Sequence, residues 1–389
     1  MDAATLATFL AASVASLFMA WAIGAGSSGS TPFAPAVGAN AISVMRAGFF
    51  VGILGLLGAT LQGANVTEAV GRELVVGATL TPVAAIVALT IAAGLVAIGI
   101  FTGYPIATAF TVTGAVVGAG LAMGGGPAWA KYTEILAVWT LTPFVGGSIA
   151  YGTAKGLRND AIPELVAIPV LAGIVGAIIA NVEFVLLGPP GEAASLATTT
   201  TTSLPGRLGV TLLVAVVAAT ALGADIRDDR EAGQRHFLIA LGALVAFSAG
   251  GSQVGLALGP LLPLFDTVDF AVPLVALLFG GGLGLLVGSW TAAPRMIKAI
   301  SQDYSSLGPR RSIAALIPSF TIAQVAIFLG VPISFNEIIV SAVVGAGAAA
   351  GSGGVSGGKM GYTVLAWIGS LVGASVLSYG LYTAFTAVV

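Results

Sequence analysis

Within "WAIGAGSSGSTPFAPAVG" (21–38), four hydroxyl side chains, Ser27, Ser28, Ser30 and Thr31, interrupt an apolar run and sit among glycines and prolines. Three further interruptions follow: 103–109 with Thr108, 250–260 with Ser252 and Gln253, and 330–336 with Ser334 and Asn336. Glycine and proline free backbone groups from helical pairing, which at membrane depth is tolerated only where that backbone lines a cavity. A helix that starts at such a point presents its positive dipole end and its unpaired N–H groups. Four such breaks, lined by neutral donors, would together make a cradle for a small anion with no fixed positive charge. Close helix packing is the other use of Gly and Ser, and one break alone would not decide between the two. Their occurrence in matched pairs favours a binding site, with Gln253 as a contact to the bound anion. Glu337 follows the last break directly. It could take up a proton and so couple anion movement to a proton gradient, or be a helix-start carboxylate at the interface that the dipole favours.

Other chemistry is nearly excluded. Cysteine is absent and His236 is the one histidine, in a charged stretch, so no metal cluster or nucleophilic constellation is expected. No phosphate-binding loop of the G-x-x-x-x-G-K-[ST] type occurs, and no enzyme activity or cofactor is expected. The net charge of −2 argues against a nucleic-acid partner.

The elements that must position these residues are membrane helices. Of 389 residues 57% are hydrophobic and 8% charged, and mean hydropathy is +1.04, against about 25% charged in a soluble domain. Twelve apolar stretches, from 3–22 through 362–384, are long enough to be read as spans, although the short ones could be half-helices or re-entrant segments. The first is read as a retained span because no basic region precedes it. With the N-terminus outside, eleven Lys and Arg side chains fall in inner connectors and only Arg72, Lys131 and Arg207 fall outside. This bias puts both termini outside a cell membrane. Residues 225–236, "DIRDDREAGQRH", are expected as a solvated inner loop and "ATTTTTS" (197–203) as a structureless outer one.

The chain also repeats itself. "GYPIATAFTVTGAVVGAG" (103–120) matches "GVPISFNEIIVSAVVGAG" (330–347) at nine of 18 positions, at an offset of 227. Lys131 and Trp139 recur as Lys359 and Trp367 at 228, and 23–31 aligns with 249–257 at 226. The first repeat is assigned to 1–158 and the second to 237–389, joined by two spans and the charged connector in 159–236. Seven spans separate equivalent helices, so the halves are inverted, as in secondary transporters. The expected fold is an all-α polytopic membrane protein of about twelve spans, in two inverted-topology repeats with helices broken at the midplane. Trp139 and Trp367 are expected to act in packing or as interface anchors, and Lys131 and Lys359 to snorkel at span ends. Glu68 and Glu134 are expected at the interface.

At these residues the chain resembles the inorganic phosphate transporter family, which includes sulfate permeases. That family's signature, G-A-N-D-V-A-N-A, stands once in each inverted half, where this chain has "GAGSSGST" (24–31) and "GGSQVGLALGP" (250–260). "GATLQGANVTEAV" (58–70) resembles the second-helix pattern ending in V-T-E, and "LLFGGGLGLLVGSWTAAPRMIKAI" (277–300) the stretch after the second signature. "GYPIATAF" and "GVPISFNE" stand where the family has G-x-P-V-S-T-T-H. The signature Asp is replaced by Ser27 and by Gln253, and the asparagines by Gly26, Ser30, Ser252 and Leu256. In the family those aspartates are sodium ligands, and hard cations need anionic or carbonyl oxygens. Their loss argues against sodium coupling. It also argues for sulfate over phosphate, because phosphate carries protons that a carboxylate can accept, whereas sulfate carries none.

The resemblance thus implies a permease for a small inorganic oxyanion, sulfate ahead of phosphate, coupled to H+ and working by alternating access. A sodium-independent or sodium-coupled phosphate transporter, an uncoupled anion facilitator and a non-transporting receptor remain alternatives. The bilayer is the expected surrounding, and a homodimer is compatible with it.

Overall fold

The computed structural model describes residues 3–189, 193–265, 272–304, 307–351 and 357–388. The first repeat contains α1 (Ala3–Gly26), α2 (Ala34–Gly38), α3 (Val44–Gln62), α4 (Ala64–Arg72), α5 (Pro82–Thr102), α6 (Thr108–Ala122) and α7 (Trp129–Leu157). The linking segment contains α8 (Glu164–Asn181), α9 (Leu196–Thr200) and α10 (Leu204–Asp228). The second repeat contains α11 (Arg230–Leu258), a 3-10 turn (Gly259–Leu261), α12 (Leu262–Phe265), α13 (Leu274–Thr291), α14 (Ala293–Asp303), α15 (Pro309–Phe328), α16 (Phe335–Ala348) and α17 (Gly357–Val388). Two-residue strand pairs, 75–76 with 126–127 and 183–184 with 194–195, tie the connectors. Among the described residues ten helices are long and apolar enough to cross a membrane, and α6 and α16 are shorter apolar helices. At 1.5 Å per residue, the 15 residues of α6 and the 14 of α16 fall short of the roughly 30 Å hydrocarbon thickness. They are the half-length elements.

Local chemistry sets the boundaries. Ser43, Thr81, Ser203 and Asp229 cap α3, α5, α10 and α11 with their side-chain oxygens. Prolines open α5, α10 and α15, where a missing N–H costs nothing. α5 ends at Gly103 (φ 77°) and the stretch after α15 contains Gly330 (φ 62°). These two glycines are repeat equivalents, and both adopt the left-handed conformation that side chains resist.

The duplication is visible in the packing. α1 packs on α5 and α13, while its counterpart α11 packs on α15 and α3. α6 packs on α17, and α16 on α7. Each contact thus occurs twice with the repeats exchanged. The α8–α10 pair stands outside this core, and α10 turns Leu204, Leu208, Leu212 and Val216 outward, as a helix facing lipid should. The connectors assigned to the inner side meet on one face. Arg235 donates to the Ala41 carbonyl (3.0 Å), Arg158 to that of Ala349 (2.6 Å), and Arg310 grips Glu164 through two bonds of 2.9 and 3.0 Å.

Three expectations need correction. Residues 225–236 are not a loop: α10 runs to Asp228 and α11 starts at Arg230, because the Asp229 carboxylate accepts from the N–H groups of Glu231 and Ala232 at 2.9 and 3.1 Å. The threonine run is not structureless, since Ser195 and Thr198 form a reciprocal capping box that starts α9. The break at 250–260 is not at its expected place either. α11 continues through Gly250, Gly251, Ser252 and Gln253 to Leu258, and irregularity begins at Gly259.

The reason lies in α3 and α4. A Cβ on Gly250 would stand 1.9 Å from the Gly55 carbonyl oxygen, and one on Gly255 2.6 Å from the Thr67 nitrogen. On the facing helix, a Cβ on Gly58 would stand 1.7 Å from the Phe247 carbonyl. These glycines therefore serve close packing, as small residues do between membrane helices. Gly58→Ala is expected to destabilise the folded protein by about 2 kcal/mol or more through overpacking. Gly55→Ala, on the same helix with open space around its Cβ, should leave the melting temperature nearly unchanged, as thermal unfolding of detergent-solubilised protein would show.

Candidate functional site

The end of α1, the starts of α6 and α16 and the middle of α11 meet in the interior. Beyond α1 the backbone stays hydrogen-bonded through turns, with Ser27 and Ser28 N–H bonded to the Ile23 carbonyl and Ser30 and Thr31 N–H to that of Ser27. The donors expected free in this break are therefore used locally. The hydroxyls of Ser30 and Thr31 also turn back onto the Ser27 carbonyl, at 3.2 and 3.0 Å, and that of Ser28 onto Ile23. All four side chains are buried, but only Ser27 reaches another element.

Its partner is Gln253. The amide oxygen of Gln253 accepts from the Ser27 hydroxyl (3.1 Å) and the Thr108 hydroxyl (2.7 Å), and its NH2 donates to the Ile333 carbonyl. The orientation of this amide follows from Ile333, because turned over it would set one carbonyl against another. Asn336 donates to the carbonyls of Gly26 (2.9 Å) and Ile106 (2.6 Å), so the first turn of α16 is stitched to both breaks of the first repeat. Around this core Ser252 Oγ, Ser334 Oγ, Asn336 Oδ1 and Glu337 Oε2 are buried without hydrogen-bond partners. Neither Ala107 nor Ser334 caps its helix through a side chain, so the first turns of α6 and α16 keep their dipole ends open. Glu337 is the most deeply buried carboxyl among the described residues, at 2% exposure.

Of the residues singled out from the sequence, Ser27, Thr108, Gln253 and Asn336 are bonded into this cluster, and Ser252, Ser334 and Glu337 are buried next to its members along the chain. Ser28, Ser30 and Thr31 line the adjoining turn. Glu68 and Glu134 lie at the surface, paired with Arg72 (3.0 Å) and Lys131 (3.1 Å), and Lys131 also reaches Glu73.

A profile of the phosphate transporter family matches residues 23–378 of this chain, which takes in all four breaks. The chain belongs to that family. A Thermococcus kodakarensis protein described as a candidate phosphate permease is 26% identical over 94% of both chains. An Arabidopsis thaliana protein, inorganic phosphate transporter 2-1, chloroplastic, is 24% identical over 92% of this chain and 69% of its own. Among solved structures, a sodium-dependent phosphate transporter superposes with a TM-score of 0.83 at 25% identity, covering 98% of this chain and 100% of that one. The likeness to that structure thus extends over nearly the whole of this chain.

Two features escaped the sequence reading. The Trp139 indole N–H donates to the Pro332 carbonyl and that of Trp367 to the Pro105 carbonyl, both at 2.8 Å. Both indoles recur in the repeat, but neither points to its partner through sequence spacing. Gln62 of α3 and Gln324 of α15 form a reciprocal amide pair (3.2 and 3.3 Å), and Gln324 donates to Ser248, one turn before Ser252 on α11. Two glutamines within apolar spans were the available signal. This pair floors a cavity of 540 Å³ between α3, α8 and α15, whose remaining lining is mostly aliphatic. Glu183 stands there, its carboxyl pushed above the ordinary range by burial.

Proposed function

We propose that this chain is an inorganic phosphate permease that works by alternating access and couples to protons through Glu337. The observation that carries this reading is the buried cluster of Ser27, Thr108, Gln253, Asn336 and Glu337 between two open helix starts. Helix dipole ends can hold an anion without a fixed cation, and therefore release it, while the Ser27, Thr108 and Asn336 donors hold the elements around them in register. Ser252 and Ser334 add further hydroxyls, and Ser28, Ser30 and Thr31 shape the seat from the turn beside it. The first repeat over 1–158 and the second over 237–389 would each contribute one early and one late element.

The choice of anion turns on acceptors. Losing both signature aspartates argued for sulfate, but Glu337 Oε2 and Asn336 Oδ1 are buried with no partner. Phosphate near neutral pH carries protons that can donate to such oxygens, whereas sulfate meets them only with repulsion. The relatives' printed descriptions point to the same anion. Sodium coupling has less support, since Ser27 and Gln253 supply no anionic oxygen for a hard cation. The connectors rich in Lys and Arg would face the cytoplasm, with both termini outside the cell membrane.

The deciding experiment is uptake of radiolabelled phosphate and sulfate into proteoliposomes under a proton gradient, a sodium gradient or neither. Phosphate uptake driven by protons alone is expected. Sulfate uptake in its place would restore the argument from the missing aspartates. Phosphate uptake driven by sodium would remove Glu337 from the coupling role.

A further inference from the structure

The paired indoles do more than pack. At Gly103–Ala107 and Gly330–Ser334 the chain leaves helical geometry, so carbonyl groups there lose their i+4 donors. At membrane depth such a carbonyl must find a donor elsewhere. Pro105 and Pro332 find one in the opposite repeat. Trp367 of α17 donates to Pro105 and Trp139 of α7 to Pro332, both bonds 2.8 Å long and buried. Indole is donor-only, so each bond can be made or broken without a competing acceptor role. Because the repeats are inverted, the two bonds serve opposite faces. The Pro105 break adjoins Tyr104, which lies under Lys359; the Pro332 break adjoins Asn65, whose backbone oxygen would stand 3.2 Å from a Cβ on Gly330.

The two bonds are not equally braced. Phe110 stacks on the Trp139 ring at 3.8 Å and 17°, but meets Trp367 only edge-on, at 6.5 Å and 62°. The repeat equivalent of Phe110 is Glu337, so the second half has a carboxyl where the first has the ring stacked on Trp139.

We propose that Trp139 and Trp367 are positioning residues that act as reciprocal gates, each repeat's last span holding the other repeat's break closed, and that the Trp367–Pro105 gate releases first. This rests on the alternating-access reading, yet it can be tested without any transported anion. The chain has no cysteine, so a single introduced thiol reports alone. Ala107→Cys and Val331→Cys, both fully buried positions, report on the two breaks when a membrane-impermeant maleimide is applied from either side of a proteoliposome.

With native indoles, Ala107→Cys should label faster than Val331→Cys. Adding Trp367→Phe, which keeps the ring and removes the donor, should raise labelling of Ala107→Cys about tenfold from one side and leave Val331→Cys unchanged. Trp139→Phe should do the reverse from the other side, and Trp367→His, which retains a ring N–H, should return labelling toward the starting rate. Labelling unaffected by either Phe variant, or rising at both reporters together, would overturn the gates; faster labelling of Val331→Cys in the native background would overturn their order. Absent uptake with side-specific labelling intact would remove the transport reading and leave the gates standing.

Discussion

Gln253→Leu is expected to reduce phosphate uptake in proteoliposomes by about 100-fold or more. The Gln253 amide makes three contacts: it accepts from Ser27 and Thr108 and donates to the Ile333 carbonyl. Leucine, of similar size, makes none of these. The buried Ile333 carbonyl loses its donor and the Ser27 hydroxyl its acceptor, while Thr108 keeps only its 3.3 Å bond to Ser27; each orphaned group costs about 1–3 kcal/mol, and each 1.4 kcal/mol is about tenfold. The loss falls on the meeting point of α1, α6, α11 and the break before α16, the seat proposed for the anion. Gln253→Glu separates geometry from chemistry. A carboxylate still accepts from Ser27 and Thr108, but its second oxygen faces the Ile333 carbonyl, an acceptor that it cannot satisfy. Uptake should therefore fall by about tenfold or more in a protein that still unfolds cooperatively. Uptake within twofold of the native rate in both variants would show that the anion does not depend on this amide.

The amide also marks where sequence reasoning ran out. Residues 103–107 and 330–334 were legible as breaks because glycine and proline occur there at one offset, and two of those glycines do adopt positive φ. Gly250 and Gly251 looked the same on paper. Their role depends on how closely α3 approaches, and that distance is encoded in the facing helix through Gly58, where a Cβ would meet the Phe247 carbonyl. The cluster residues were legible as polar side chains where an apolar span should run on. Their division was not: nothing local distinguishes Ser27, which reaches Gln253, from Ser30, which turns back onto its own segment. The duplication exposed Trp139 and Trp367, but their partners lie 193 and 262 residues away. Only the inverted packing of α7 on α16 and of α17 on α6 brings those carbonyls within reach.

The repeat's departures from symmetry carry as much as its matches. Thr108, Ala109 and Phe110 of the first half stand over Phe335, Asn336 and Glu337 of the second. One half thus offers a hydroxyl and a stacking ring, and the other an amide and a carboxyl, at equivalent places around the seat. A symmetric pair of sites would bind the anion equally from both sides, whereas this arrangement gives it one set of donors and one titratable neighbour.

Glu337→Gln isolates that neighbour, and its expected effect is loss of accumulation with exchange retained. Glutamine keeps the shape and one acceptor oxygen of the side chain, so phosphate-for-phosphate counterflow should stay within a few-fold of the native rate. It cannot gain or lose charge, so a proton gradient has nothing in the cluster to act on: Ser27, Thr108, Gln253 and Asn336 carry no group that titrates near neutral pH. One pH unit across the membrane is worth about 1.4 kcal/mol per proton, enough for about tenfold accumulation by the native protein. The Glu337→Gln variant should instead equilibrate without accumulating. Loss of counterflow as well would make Glu337 part of the anion's seat and not of its coupling. Accumulation that persists under the proton gradient would transfer coupling to a group outside the cluster. Glu183 would then be the next carboxyl to substitute, since burial in the cavity beside α3 already holds its proton more tightly than usual.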